Sequence, residues 1–244
     1  MSAAWTIAAA TLREALHSRV PWLVVLAAAA ALGISRFAGA LALTESEDIA
    51  LALLAAMLRA FGVFLTALFL VSSIAREAQD KGREMLLALD LSRSTYLFGK
   101  LSGFASVAAV LALLSGALVC AYAPIEQALL WSASLLLELW IVAAFSLLCA
   151  LGFSQVLPAL FACGAFYLLA RTISSMQLLG DGLLGQCIEA LAALLPHLDA
   201  FARTEWLVYQ NGSLAELGPQ AMQALIYTSL LGMAGCFDLH KKEI

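Results

Sequence analysis

This chain has little charge. Only 12% of its 244 residues are Asp, Glu, Lys or Arg, and 63% are hydrophobic, against about 25% charged in a soluble domain. The mean hydropathy is +0.94, which places the chain in the membrane class. A net charge of −4 and the lack of any basic patch with interleaved aromatics leave nucleic-acid binding without support. There is no CxxC and no Cys/His spacing, so neither a zinc site nor a disulfide framework is expected of Cys120, Cys149, Cys163, Cys187 and Cys236. They read as small apolar packing residues. No phosphate loop occurs: Phe98–Leu101 supplies a Gly-Lys pair without the upstream glycine or the hydroxyl that would meet magnesium. HExxH is absent, Gly152–Val156 lacks the second glycine of a nucleophile elbow, and His17, His197 and His240 fall in three separate segments. No catalytic residue and no metal site are expected. The chain is not read as an enzyme.

Long apolar runs are what it does have. A membrane-crossing helix needs about 20 apolar residues. Six runs qualify as candidates: Pro21–Leu43, Ile49–Ile74, Leu101–Ala123, Ala128–Leu151, Val156–Ile173 and Ala221–Phe237. The expected fold is an all-α membrane protein of six spans forming one transmembrane domain over residues 1–244. The first apolar run follows Arg13, Glu14, His17 and Arg19 and is too long for a signal-peptide core. With the N-terminus inside, Arg13, Arg19, Arg76, Lys81, Arg83, Arg93, Lys100, Lys241 and Lys242 all fall on the inner side. The positive-inside rule then places both termini in the cytoplasm.

Two segments are neither spans nor plain loops. Trp5–Arg19 repeats Trp5, Ala8, Leu12 and Leu16 at helical spacing, with Thr6, Arg13 and His17 on another face, and reads as an amphipathic helix in the inner interface. Pro21 suits the first turn of the helix that follows. On the outer side, Leu184, Ile188, Leu191 and Leu195 mark a helix of about a dozen residues, roughly 18 Å long and too short to span. It is expected on or in the outer leaflet, ended by Pro196. Asn211-Gly212-Ser213 reads as a turn, and Ser213 with Glu216 has capping-box spacing.

Two charges interrupt the spans. Arg59 and Glu138 each lie ten positions below the outer entry of their run, about 15 Å deep at the helical rise. A lone charge there costs about 3 kcal/mol or more. Pairing, within one protomer or across a dimer, would remove much of that cost. The alternative is that each faces a water-filled cavity or another partner.

The densest charge lies in Ala75–Lys100, between the second and third runs. Glu77–Lys81 and Asp80–Arg83 have helix-supporting spacings, Met85, Leu86 and Leu89 add an apolar edge, and Asp90 and Ser92 are candidate N-caps. A simple turn needs only a few residues, so this segment reads as a surface that a partner covers. Glu77, then Gly82-Arg83-Glu84-Met85-Leu86-Leu87, Ser92-Arg93 and Gly99-Lys100 resemble the cytoplasmic coupling segment of type-2 ABC transporter permeases. Asp90 stands where that family usually has proline. Thr11–Val25 is similar to the family's connecting helix and first-span entry, and Leu194–Phe201 to its Leu-Pro-x-Leu-x-x-Phe element.

The resemblance implies a transport subunit of a bacterial inner-membrane exporter. It would work as a homodimer or heterodimer beside a separate ATPase chain that holds the ATP and magnesium. The implied ATPase-coupling residues are Glu77, Lys81, Glu84 and Arg93, with Gly82, Gly99 and Lys100 shaping or anchoring the segment. Residues 174–220 are the candidate docking place for a periplasmic partner. Two other readings stand beside this one: a gradient-driven secondary transporter or channel using Arg59 and Glu138, and a membrane assembly factor that transports nothing.

Overall fold

The computed structural model describes residues 3–42, 44–79, 93–153, 155–178 and 182–241. Among these residues the chain is all helix. The elements are α1 (Ala3–His17), α2 (Val20–Leu41), α3 (Ser46–Gln79), α4 (Arg93–Val119), α5 (Ile125–Gly152), α6 (Val156–Gln177), α7 (Gly182–Leu194), a 3₁₀ turn (Leu198–Phe201), the short α8 (Glu205–Tyr209) and α9 (Leu214–Lys241). Five of them, α2 to α6, are long and apolar enough to cross a membrane, the makeup of a multi-pass membrane protein. The 28-residue α9 is less apolar, because Gln223, Tyr227, Thr228 and Ser229 interrupt its run.

The core lies where α3, α4 and α5 meet. Leu54, Leu58, Leu70 and Ile74 of α3, Leu97, Phe104 and Ala108 of α4, and Trp131, Leu135 and Leu139 of α5 are buried together. In lipid the hydrophobic effect does little to hold helices together, so close packing carries the contact. Small residues provide it. On α2 the buried positions are Ala31, Ser35 and Gly39, one every four residues, and a Cβ at Gly39 would stand 3.0 Å from the Ala50 side chain. No residue of the first half of α2 is buried, and there only Val20 and Val24 pack partly against the core.

The N-terminal helix docks through small residues, among them Thr11 and Ala15 from outside the stripe read in the sequence. Its protein-facing stripe is Ala8, Thr11 and Ala15, while Trp5 and Leu16 are exposed. The reason lies on α4, where Gly99 and Gly103 leave a groove. A Cβ at Gly99 would come within 3.0 Å of Ile7, and one at Gly103 within 2.7 Å of Thr11. The side that docks is therefore the one with small residues, and the large side chains are left for lipid. Ser18 turns the corner into α2 by donating to the Ala15 carbonyl at 2.7 Å and accepting from the Val20 N–H at 3.2 Å. Gly103→Ala is expected to cost about 1–3 kcal/mol by overpacking against Thr11. Gly33→Ala, with open space around its Cβ, should be neutral or stabilising by up to about 1 kcal/mol. Unfolding in mixed detergent micelles compares the two.

The segment after α7 does not simply lie on the surface. Leu198, Phe201, Trp206 and Leu207 are fully buried in the bundle. Gln127 of α5 clamps Gly212 twice, accepting from its N–H at 3.1 Å and donating to its carbonyl at 3.3 Å. Gln220 donates to the Ala200 carbonyl at 2.8 Å. The carboxylate of Glu216 accepts from the Trp206 indole N–H at 3.0 Å and from the Ser213 hydroxyl at 3.3 Å. It therefore ties α8 to α9 rather than closing a capping box alone. Residues 198–213 form a plug over one end of the bundle.

Candidate functional site

Among the described residues, two polar clusters stand out in the apolar interior, one at mid-bundle and one at the end that carries α1.

The first is built on α3 and α5, which run parallel. Arg59 and Glu138 stand equally far into their helices, counted from Ser46 and Ile125, so they meet at one depth. Arg59 Nη1 donates to Glu138 Oε2 in an ion pair whose side chains are 2% and 0% exposed. Arg59 Nη2 donates to Ser134 Oγ at 3.0 Å, and Ser134 donates on to the Phe201 carbonyl at 2.7 Å. The guanidinium lies over the Trp131 ring, 5.1 Å from its centre. On the other carboxylate oxygen, Tyr167 donates at 3.1 Å, and Arg171, about a third exposed, approaches to 3.5 Å. The pair therefore forms within one chain. It binds α3, α5, α6 and the 3₁₀ turn into one unit.

Chemically this cluster is a clamp. Its carboxylate is held by two arginines and a phenol, leaving no free base. A buried pair of this kind is costly to desolvate, and its mutual attraction returns that cost only when the remaining donors and acceptors are also met. Ser134, Tyr167 and Arg171 meet most of them, while the Arg59 Nε–H is buried without a hydrogen-bond partner among the described residues, and the sequence reading gave none of the three a part in the pair. A signal was present. Ser134 and Glu138 are four apart on α5, and Tyr167 and Arg171 four apart on α6, the spacing that puts side chains on one helix face.

The second cluster lies where α3 ends and α4 begins. Lys100 Nζ donates to Glu77 Oε1 in an ion pair, and Tyr96 donates to Glu77 Oε2 at 2.8 Å. The Lys100 ammonium also lies 5.8 Å from the centre of the Phe104 ring. One turn away, Glu14 of α1 accepts from Ser73 at 2.9 Å and from Arg76 at 3.0 Å. Three helices are thus locked at one end by two carboxylates.

Of the residues expected to couple to an ATPase, Glu77 faces Lys100 and Tyr96 inside the protein, beside Gly99 and Lys100 in the anchoring group. Gly99 is the close-approach point for Ile7, and Lys100 is buried. Lys81, Gly82 and Glu84 lie outside the described residues, as do Asp90 and both helix-supporting pairs. Arg93 opens α4, and its side chain is outside the described set. Among the described residues no group of His, Cys, Asp and Glu could hold a metal ion.

Compared with known protein families, the chain matches no family model, and no curated protein matches it.

Proposed function

We infer that the chain is the membrane subunit of an ABC transporter, driven by a separate ATPase that docks on the segment between α3 and α4. The observation that carries this reading is the pair of clamped helix ends flanking that segment. Glu77 ties α3 to α4 through Lys100 and Tyr96, and Glu14 ties α1 to α3 through Ser73 and Arg76. A force applied to residues 80–92 is then delivered to three helices together. A solvated loop between spans would need no such bracing. The charge-rich, apolar-edged composition of 80–92 suits a reversible protein interface, in which charges set specificity and register. With no phosphate loop in the chain, ATP and magnesium belong to the partner.

In this reading α9 serves as the sixth span, the end carrying α1 faces the cytoplasm, and a second permease copy completes the assembly. The membrane is the bacterial inner membrane, the direction export, and the plug at 198–213 the face open to a periplasmic partner. A gradient-driven pathway through Arg59 and Glu138 is less well supported, because both charges are already neutralised inside the protein.

Charge reversal tests the docking surface. Glu84→Arg or Arg93→Glu should leave membrane insertion intact and weaken retention of the ATPase by about tenfold or more. Undiminished ATPase retention and transport in both variants would contradict the proposal.

A further inference from the structure

The α1–α2 corner and α3 enclose a groove of about 740 Å³, within the range of small-molecule sites. Its composition changes along its length. At the end carrying α1 it is lined by His17, Arg19 and Arg76, and deeper in by Leu65, Leu68 and Phe69. The first half of α2 leaves room for it, with no buried residue before Ala31 and only Val20 and Val24 packed partly against the core. Leu65 also lines a second, smaller space between α2, α3 and α4, beside Val24 and Gly62.

The cationic end has spare capacity. Arg19 makes no side-chain hydrogen bond or ion pair among the described residues. Arg76 spends one N–H on Glu14, and a guanidinium carries five. His17 donates from Nδ1 to the Arg13 carbonyl at 2.9 Å, which leaves Nε2 uncommitted. Trp22, 78% exposed and also lining the groove, sits one turn from Arg19. An exposed Trp beside basic residues at a span end marks headgroup level. A cationic mouth at that depth, opening onto an apolar channel along the span, matches a molecule with an anionic head and acyl tails.

We propose that this groove holds an anionic phospholipid, its phosphate on Arg19 and Arg76 and an acyl chain along Leu65, Leu68 and Phe69. The lipid fills the space between the α1–α2 corner and α3. The inference requires only that α2 crosses the membrane, and it stands whether or not an ATPase docks at 80–92.

The test is native mass spectrometry on the full chain, purified in detergent with whatever subunits accompany it, delipidated, and titrated with phosphatidylglycerol or phosphatidylcholine. Phosphatidylglycerol should be retained preferentially. Arg19→Gln should lower that preference about fivefold, and Arg13→Gln, an exposed arginine outside the groove, should leave it unchanged. Ser72→Trp, which fills the groove without altering charge, should reduce retention in protein that still elutes as a single species. Equal retention of the two lipids, an equal loss in the Arg13 variant, or full retention in the Ser72 variant would each overturn the proposal.

Discussion

Replacing Glu138 with leucine is expected to destabilise the protein by about 3–5 kcal/mol, the cost of leaving a buried charge without its partner. The loss falls on Arg59, which is 2% exposed and keeps only Ser134 and the face of Trp131. Arg171 would then face Arg59 with no carboxylate between them. Arg59→Leu should cost less than Glu138→Leu, because Arg171 and Tyr167 still reach the carboxylate. The double replacement should be more stable than Glu138→Leu alone, since an apolar pair of similar volume is often neutral where a broken ion pair is not. Unfolding of the three variants in mixed micelles gives the coupling energy directly. A double variant as unstable as the two single losses added together would mean that the residues do not act as a pair.

Glu77→Gln is expected to cost about 2–4 kcal/mol, less than the mid-bundle loss because Glu77 is about a quarter exposed and water can compensate in part. The damage is concentrated on Lys100, whose side chain is 5% exposed and which loses the one carboxylate it pairs with among the described residues. Lys100→Met should cost roughly half as much, because the stranded carboxylate keeps the Tyr96 hydroxyl and some solvent. Pairing Glu77→Gln with Lys100→Met should recover most of the loss. The structural result is independent of any partner. If the account of coupling is also right, Glu77→Gln will bind the ATPase normally yet transmit its cycle poorly, whereas Glu84→Arg will fail to bind it. Loss of ATPase retention in the Glu77 variant would place that residue at the docking face instead of behind it.

Much of this architecture is legible in the sequence because spans announce themselves by length and apolarity. Each of α2 to α6 coincides with one expected run to within a few residues at most ends, and α3 and α4 extend further, past theirs into the charged junction. The common depth of Arg59 and Glu138 follows from counting along two helices that enter from the same side. Contacts made by small residues are harder to read. Nothing in the hydropathy of Gly99 and Gly103 says that α1 lies across them, and the large side chains of α1 say nothing of Thr11 and Ala15, which make the contact. The plug at 198–213 is also hidden in the sequence. Its anchors, Phe201, Trp206 and Gly212, are common loop residues until Ser134 and Gln127 are seen to bind their neighbourhood. Tyr167 and Arg171 carried the right spacing, but only the position of α6 shows that it points at Glu138.

In the proposed reading this chain works on another protein's ATP hydrolysis, received through residues 80–92. The most direct measurement is the ATP turnover of the complex recovered through an affinity tag on this chain from its native membrane. The account predicts that a separate nucleotide-hydrolysing subunit co-elutes, that turnover is measurable, and that Glu84→Arg removes both. A tagged chain that elutes without any such subunit, and that moves its solute under an ion gradient alone, would contradict it.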